Sequence, residues 1–404
     1  MSFASSNTFD VAIAGAGPAG TSAAIRLALH GARVLLVEEK KFPRAKLCGE
    51  FISPECLAHF HKLGVLDQMT AAGGSSLGET VFYSARGHKV AVPSEWFTSG
   101  ANALGLSRSE MDHRLLERAG ALGVTVLEDA HAVPLTFENN FVLGLKVKTS
   151  KAVDDHGARV TIDATGRTRA LARHFDREQI DSRKRKPGLV AFKAHLENTR
   201  VTPGACEIYF YPGGYGGLSQ IEGGLSNLCF IVSASDVRRC GSVPDRVLCE
   251  VVMRNARAAE TLRDAKLHSA WLSVSLEGFG RKTLTPAHGL LAIGDAASFI
   301  DPFTGSGMLM ALESGEVVAE TIAAHLRFLR GAQTVELLAK EYEGEYTKRF
   351  DSRLRVSGML RRAAFVPYLA ETAIMFFGSS TRLRRKLAHA TRHANSGEAR
   401  ASLS

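Results

Sequence analysis

Three glycines near the N-terminus and an acidic residue beyond them have the types and the spacing that dinucleotide binding requires. Gly15, Gly17 and Gly20 follow an apolar run that begins at Phe9. In such a turn the first glycine permits a tight bend, the second lets a pyrophosphate approach the backbone, and the third lets a helix pack closely on a strand. Glu38 ends the next apolar run, about 20 residues further on, where a carboxylate can accept hydrogen bonds from a ribose diol.

This chemistry requires that the glycine turn connect a strand to a helix. Pro18 suits the first turn of a helix, and Pro18 and Ala19 begin an Ala-rich stretch. The N–H groups and the positive dipole end of that helix would then meet the phosphates. An isolated glycine pattern is weak evidence. A strand, turn, helix, second strand and terminal acid within about 30 residues strongly indicate a dinucleotide site.

The bulk composition is that of an ordinary soluble globular protein. With 404 residues, of which 45% are apolar and 23% charged, the chain is long enough for two or three domains. No run reaches the roughly 18 uncharged apolar residues of a membrane span, and the short polar N-terminus shows no signal peptide. The six cysteines are scattered without a metal-binding spacing. The sequence therefore predicts reduced thiols, no metal site and a cytoplasmic location.

The net charge of +9 raises the question of a nucleic-acid or membrane partner. Basic residues cluster at positions 183 to 186, at Arg361 and Arg362, and from Arg382 to Lys386. No module with stacking aromatic residues accompanies these clusters, so a nucleic-acid partner is not expected. Solvated loops and helix faces are the favoured interpretation of the charge.

Periodicity and turn residues predict the remaining elements. They include a helix from Pro54 to Leu63, a hairpin around Arg86 and Gly87, a helix from Arg108 to Ala121 capped by Ser107, a helix from Pro244 to Ala265, a buried strand that begins at Leu290, and a long helix from Gly307 to Leu329. The strand-rich region from about 188 to 274 indicates a second domain built on an antiparallel sheet.

Two later motifs complete a resemblance to a known family. Gly294 and Asp295 end the apolar strand, and Asp301-Pro302-Phe-Thr-Gly305-Ser306-Gly307 leads into the next helix. With the first glycine turn, and in this order, they resemble the FAD-dependent oxidoreductases of the glutathione-reductase-like flavoprotein group. The branch that the chain resembles holds aromatic hydroxylases (group A monooxygenase-like), flavin-dependent halogenases and geranylgeranyl reductases. The resemblance spans roughly residues 8 to 330.

The resemblance implies an α/β fold, with a Rossmann-like FAD domain, an inserted antiparallel sheet domain for the substrate, and C-terminal helices. The FAD domain would comprise residues 1–75, 101–180 and 284–335. The substrate domain would comprise residues 76–100 and 181–283. A helical region would occupy residues 336–404.

The resemblance also implies which positions bind FAD. They are Gly15, Gly17, Pro18, Ala19, Gly20, Glu38, Glu39, Arg44, Lys46, Cys48, Arg108, Ala132, Gly166, Gly294, Asp295, Pro302, Gly305, Ser306 and Gly307. Arg108 would contact the FAD linker, and the alternative for Arg108 is a surface ion pair with Asp112. The carboxylate of Asp295 would bind ribityl or ribose hydroxyls. The helix start at Gly305 would place N–H groups near negative charge on the reduced flavin.

Four residues are candidates for the catalytic face of the flavin: Cys48, Gly49, Tyr215 and Pro302. Cys48 lies in a loop that would pass beside the isoalloxazine. A small residue packed on the flavin is favoured over a reactive thiol, because no His or second Cys is placed to activate it. The glycines around Tyr215 suit a pocket wall.

The glycine-rich run around Tyr215 also helps to distinguish between the reactions that the family catalyses. The Trp-x-Trp-x-Ile-Pro run of halogenases is absent. Geranylgeranyl reductases carry a Tyr-x-Trp-x-Phe-Pro run, and this chain has Gly217 and Ser219 in place of the Trp and the Phe. The resemblance therefore favours a monooxygenase that uses NAD(P)H and O2, through a C4a-hydroperoxyflavin, on an apolar or aromatic small molecule.

Two other functions stay open. A flavin-dependent reductase of isoprenoid double bonds is the main alternative, and a non-catalytic FAD electron carrier is the other. The chain shows no second Gly-x-Gly-x-x-Gly unit, so NAD(P)H would bind transiently at a shared surface. The apolar, basic segment from 358 to 377 would pack on the core, cover a lipophilic substrate or make peripheral membrane contact.

Overall fold

The computed structural model describes residues 8–97, 100–137, 141–176, 188–328 and 332–364, with residues 374, 381, 382, 384 and 385. The basic cluster at 183 to 186 lies outside the described residues, as do Leu329, Lys386 and most of the segment from 365 to 377. All six cysteines are free. Among the described residues, none of the helices is long and apolar enough to cross a bilayer.

The described helices are α1 (Pro18–Leu29), α2 (Pro54–Leu63), α3 (Leu66–Thr70), α4 (Arg108–Ala121), α5 (Ala234–Arg239), α6 (Pro244–Glu250), α7 (Ala256–Thr261), α8 (Gly307–His325) and α9 (Ala332–Ala364).

The described strands are β1 (Thr8–Ala14), β2 (Val34–Val37), β3 (Phe51–Ile52), β4 (Ser75–Leu77), β5 (Glu79–Tyr83), β6 (Lys89–Pro93), β7 (Ala103–Gly105), β8 (Thr125–Leu127), β9 (His131–Phe137), β10 (Phe141–Lys148), β11 (Val153–Asp163), β12 (Leu189–Glu197), β13 (Ala205–Tyr211), β14 (Gly214–Gln220), β15 (Ser226–Ser233), β16 (Lys266–Leu267), β17 (Leu272–Leu276), β18 (Gly280–Arg281), β19 (Leu290–Ala292) and β20 (Ser298–Phe299).

The first sheet is mostly parallel and contains the N-terminal strand. Its strands follow the order β8-β2-β1-β11-β10-β9, and β19 pairs with β11. The pairs β8/β2, β2/β1, β1/β11 and β11/β19 are parallel, whereas β10 is antiparallel to both of its neighbours. Strands β2 and β19 are buried along their whole length, as expected of parallel strands covered on both faces.

Small residues let α1 pack between this sheet and α8. A Cβ at Gly315 of α8 would lie only 2.6 Å from the carbonyl oxygen of Ala19. The hydroxyl of Ser22 donates to the carbonyl oxygen of Leu312 at 2.9 Å. The Ala-rich sequence of α1 therefore permits a close helix contact that fixes the glycine turn at its N-terminus.

The second sheet has the order β16-β12-β15-β14-β13-β5-β6, and β17 pairs with β12. All of its pairs are antiparallel except β5 with β13. One face packs on Val247 and Val251, at the end of α6, and on Ala258 of α7. The other face carries Phe210 and Tyr215 and faces the large cavity described below. The predicted hairpin is the β5–β6 pair.

The predicted helix from Pro244 to Ala265 is wrong as a single element. The structure has α6 and α7, separated by a short turn at Val252–Arg254. Asn255 causes the break, because its side-chain oxygen accepts from the N–H groups of Arg257 and Ala258 and so caps α7. Its side-chain nitrogen donates to three backbone carbonyls, which anchors the break to β5 and β13.

The structure also refines the predicted domain boundaries. The boundary between 75 and 76 falls inside β4, and the boundary between 335 and 336 falls inside α9. Helix α9 packs on the first domain, where the Tyr342 hydroxyl donates to the Ala292 carbonyl oxygen at 2.7 Å. Further along, Ile374 is buried against residues of the second sheet. Membrane contact by the C-terminal segment stays a prediction.

Candidate active site

A cavity of about 980 Å³ extends from the glycine turn of the first domain to the second sheet. Nineteen of the predicted positions line it: Gly15, Gly17, Pro18, Ala19, Glu38, Glu39, Arg44, Lys46, Cys48, Gly49, Arg108, Ala132, Gly166, Tyr215, Gly294, Asp295, Pro302, Gly305 and Gly307. The fold therefore brings residues from distant parts of the sequence to one continuous space.

Two predicted cofactor positions, Gly20 and Ser306, do not line the cavity. A Cβ at Gly20 would lie 1.9 Å from the carbonyl oxygen of Gly15, so this glycine serves the packing of α1 on the turn. The hydroxyl of Ser306 is buried and lies 2.7 Å from the hydroxyl of Thr304. Both residues shape the backbone behind the site, and their contact with the cofactor stays a prediction.

The other two glycines of the turn have different physical roles. Gly15 has a φ of +101°, and a Cβ there would lie 2.4 Å from the carbonyl oxygen of Ala164. Gly17 has an ordinary φ of −74°. The only heavy atom within 4 Å of a Cβ at Gly17 is a guanidinium nitrogen of Arg108, at 3.9 Å. The space in front of Gly17 is thus open, as the approach of a pyrophosphate requires.

Glu38 is held at the end of β2 with its carboxylate beside the turn. The N–H of Ala16 donates to Glu38 Oε2 at 2.8 Å. Arg44 Nε donates to Glu38 Oε1 at 3.3 Å. These contacts orient the carboxylate where a ribose diol would donate to it.

Arg108 forms a buried ion pair, so the alternative of a surface pair with Asp112 is wrong. Its Nε and one terminal nitrogen donate to the two oxygens of Asp112 at 2.8 Å and 2.7 Å, and Arg44 donates to the same carboxylate at 3.0 Å. Burial lowers the pKa of Arg108, but the charge of Asp112 outweighs it and raises the pKa overall. A permanent positive charge therefore lies beside Gly17, where it suits a pyrophosphate.

Asp295 provides the test of whether the cavity fits FAD. Its carboxylate faces the cavity, and no group within the described ranges donates a hydrogen bond to it. Burial raises the pKa of this carboxyl, and the positive charge of Arg167 opposes the shift. A half-buried acceptor that lines the cavity without a donor suits a ligand that carries hydroxyls. The ribityl and ribose hydroxyls of FAD meet this requirement.

Asp295→Asn is expected to weaken FAD binding about tenfold and to remove its pH dependence in the acidic range. FAD hydroxyls donate to the ionised carboxylate, so the affinity of the wild type should fall as the pH drops through the raised pKa of Asp295. Fluorescence titration of the apoprotein with FAD measures both effects. Glu95→Gln, at an exposed acid, is the control. Equal affinity and equal pH dependence in Asp295→Asn and the wild type would contradict the assignment.

A group of ionisable side chains, here called the Glu50 cluster and consisting of Glu50, Lys193 and His195, ties the loop before β3 to the second sheet. Lys193 Nζ lies 2.5 Å from Glu50 Oε1, and His195 Nε2 lies 2.7 Å from Glu50 Oε2. The backbone N–H of Arg108 also donates to Glu50 Oε1, at 2.8 Å. The cluster fixes the position of the residues just before it, including Cys48.

The surroundings of Cys48 differ from the prediction. Asn227 on β15 donates to the carbonyl oxygen of Cys48 at 3.1 Å. The thiol lies within hydrogen-bonding reach of Arg108, and it is close enough to Cys229 to influence that thiol. A second cysteine is thus near Cys48, contrary to the prediction. Burial raises the pKa of Cys229 to about 12, so Cys229 is a poor activator.

The second glycine motif shapes the other side of the cavity. Asp301 caps the short turn at Pro302–Thr304 by accepting from the N–H of Phe303, and Gly305 follows with a φ of +60°. The hydroxyl of Tyr215 donates to Asp301 Oδ1 at 2.7 Å. This bond connects the second sheet to the start of α8 and fixes the orientation of the Tyr215 ring.

Four aromatic residues, here called the aromatic wall, surround the second-sheet end of the cavity: Phe82, Phe210, Tyr215 and Phe303. The ring of Phe303 lies 5.6 Å from that of Phe210 and 5.5 Å from that of Tyr215. Gly217 lies in the same part of the cavity and adds no side chain to it. The aromatic wall therefore gives this end of the cavity an apolar surface.

Sequence reasoning missed Lys193, His195 and three residues of the aromatic wall. Phe82 and Phe210 reach the cavity through the pairing of the second sheet. Phe303 lies inside the second glycine motif, but its side chain was not singled out. Lys193 and His195 contact Glu50 at the edge of the cavity. One signal was present: Lys193 and His195 interrupt the apolar strand that begins at Leu189. A charge inside an apolar strand indicates a buried partner.

Comparisons with known proteins identify the family of this chain. A family model described as "FAD binding domain" matches residues 8–351. A digeranylgeranylglycerophospholipid reductase of Methanosarcina mazei is 27% identical over 345 residues, which is 84% of this chain and 80% of the relative. The mitochondrial squalene epoxidase 2 of Arabidopsis thaliana is 27% identical over 360 residues, which is 84% of this chain and 57% of the relative.

The fold has solved counterparts. A geranylgeranyl bacteriochlorophyll reductase-like protein from Thermoplasma acidophilum superposes with a TM-score of 0.75 at 20% identity, and the match covers 98% of this chain and 95% of that one. The resemblance inferred from the motifs, the α/β fold and the FAD cofactor are confirmed. The chain belongs to the family that carries this FAD binding domain, and it is an FAD-dependent oxidoreductase.

Proposed function

We propose that this oxidoreductase is a cytoplasmic monooxygenase that uses NAD(P)H and O2 to oxygenate an apolar substrate with an aromatic ring. The observation that carries the proposal is the aromatic wall at the second-sheet end of the FAD cavity. Aromatic side chains around an apolar space favour a flat ring, through edge-to-face and offset contacts. The six free cysteines support a reducing compartment.

The chain's own residues would prepare this chemistry. When bound, FAD supplies the redox step by passing electrons from NAD(P)H to oxygen. Gly17 and Arg108 would hold its pyrophosphate, and Asp295 would hold its hydroxyls. The aromatic wall would exclude water from the reacting atoms. Burial raises the pKa of Tyr215 well above its ordinary value, so this residue keeps its proton and holds the wall to Asp301.

Labelled oxygen tests the proposal. The holoenzyme is incubated with NADPH or NADH, isotopically labelled O2 and para-octylphenol as the probe, and the product is analysed by mass spectrometry. A monooxygenase yields a product that carries one labelled oxygen atom. Oxidation of the nicotinamide without labelled product would count against the proposal.

A second candidate is a reductase of isoprenoid double bonds. The observation that favours it is the similarity to the digeranylgeranylglycerophospholipid reductase over most of both chains. Without oxygen, such an enzyme would saturate geranylgeraniol at the expense of a reduced flavin, whereas a monooxygenase would produce nothing. No flavin-dependent turnover of either probe would favour an electron carrier.

Gly217→Trp is expected to weaken binding of the ring-bearing probe more than about tenfold while FAD content stays unchanged. A Cβ at Gly217 would lie 3.1 Å from the Cδ1 of Ile208, a tight contact that a small shift of this side-chain end relieves, and the rest of the Trp side chain would then enter the cavity. Gly217→Ala is the matched control, because it adds the Cβ alone. Titration with para-octylphenol measures the effect, and equal affinity in both variants would show that the ring binds elsewhere.

A further inference from the structure

Arg384 lies where the cavity meets the edge strand of the second sheet. Arg384 is one of the residues that line the cavity, and one terminal nitrogen of its guanidinium donates to the carbonyl oxygen of Ala91 on β6 at 3.0 Å. The other terminal nitrogen donates to the hydroxyl of Thr381 at 3.1 Å. The guanidinium carbon lies 5.8 Å from the centre of the Trp96 ring. Arg384 is thus held in place by neutral groups.

The positive charge of Arg384 has no acidic partner within the described part of the chain. Its Nε is buried and makes no hydrogen bond there. Five other partly or fully buried arginines are paired with carboxylates, namely Arg26, Arg44, Arg108, Arg169 and Arg353, whereas Arg118 and Arg167 donate to backbone carbonyl oxygens. A guanidinium with a buried, unpaired donor is costly unless an anion completes its hydrogen bonds.

The surroundings of Arg384 are apolar on the cavity side and open to solvent on the other. Val90, Val92 and Ile374 line the cavity beside it. Trp96 and Phe97 are partly exposed, so the cavity reaches the surface at this edge. An ionic hydrogen bond is stronger where apolar walls exclude water. An elongated ligand could thus place its ring at the aromatic wall and its end group at Arg384.

We propose that Arg384 binds an anionic end group, a carboxylate or a phosphate, on the substrate whose apolar body occupies the aromatic wall. The substrate is then an amphipathic acid. This inference rests on the proposed function only in placing the apolar body of the substrate at the aromatic wall. The anion site at Arg384 would serve a substrate of oxygenation or of reduction equally. The guanidinium suits both anions, since it donates two parallel hydrogen bonds to either.

Binding of matched acid and ester probes to the holoenzyme tests this site. The probes are para-octylbenzoate, its methyl ester and para-octylphenyl phosphate. Their binding is measured by the change in the flavin absorbance. The wild type is expected to bind both anions about tenfold or more tighter than the ester. Arg384→Met should lose that preference and leave the affinity for the ester unchanged, whereas Arg384→Lys should keep part of it. The anionic probe that binds with the higher affinity identifies the end group as a carboxylate or a phosphate.

Arg385→Met is the matched control, because Arg385 is the exposed neighbour on the same segment. It removes one positive charge from the same region and should leave the preference for the acid intact. The proposal is overturned if acid and ester bind the wild type equally, if neither anion binds, or if Arg385→Met has the same effect as Arg384→Met. The readout is binding without turnover. If the labelled-oxygen test fails but the holoenzyme still prefers the acid to the ester, the proposed reaction is wrong and the anion site at Arg384 stands.

Discussion

Gly17→Val is expected to yield a folded protein that has lost its FAD. Gly17 has an ordinary φ of −74°, and a Cβ there meets nothing closer than a nitrogen of Arg108 at 3.9 Å. The added side chain therefore strains nothing in the protein and occupies the space that the pyrophosphate needs. FAD content should fall below about a tenth of the wild-type value, a loss of at least about 1.4 kcal/mol of binding. The flavin absorbance of the purified variant measures it.

Gly20→Val is the informative contrast to this change. A Cβ at Gly20 would lie 1.9 Å from the carbonyl oxygen of Gly15, so α1 cannot keep its place on the turn. This variant should lose stability in the apoprotein, whereas Gly17→Val should match the unfolding midpoint of the wild-type apoprotein. Full flavin absorbance in folded Gly17→Val would refute the cofactor site.

Glu50→Gln is expected to destabilise the protein by about 3–5 kcal/mol, because it leaves the buried charge of Lys193 without a carboxylate. Glu50 is completely buried and Lys193 is 2% exposed. The loop that carries Cys48 should loosen as well. Urea unfolding measures the loss of stability. Glu336→Gln is the matched control, because its pair with Lys340 is exposed and screened by solvent. A loss no larger than that of the control would show that the Glu50 cluster is dispensable.

The lowered pKa of Glu50 predicts that the stability of the protein depends on pH. Burial alone would raise the pKa of Glu50, but the hydrogen bond from His195 and the charge of Lys193 hold it below its ordinary 4.5. A depressed pKa in the folded state stabilises the fold above the ordinary pKa, and the effect is lost as the pH falls through the lowered value. The wild type should lose this part of its stability in acid. Glu50→Gln should show a correspondingly flatter profile.

Much of the FAD half of the site could be predicted from sequence because its chemistry is local. Gly15, Gly17 and Glu38 act through backbone geometry within one strand–turn–helix–strand unit, and Asp295 ends a buried strand of the same sheet. The spacing of such residues is set by the lengths of the strand and the helix. The spacing alone cannot tell a residue that touches a ligand from one that packs behind it, and the structure places Gly20 and Ser306 behind the cavity lining.

Apart from Tyr215, the substrate half of the site could not be read from sequence, since its residues meet only through tertiary packing. Phe82, Phe210 and Phe303 come from separate strands and a turn, and each alone resembles ordinary core. The pairing of Lys193 with Glu50 joins positions 143 residues apart. The sequence by itself determined the cofactor and the class of enzyme, because backbone turns and helix ends recognise phosphate locally. Only the tertiary structure decided the shape, the apolar wall and the unpaired charge of the substrate space, because long-range packing creates them.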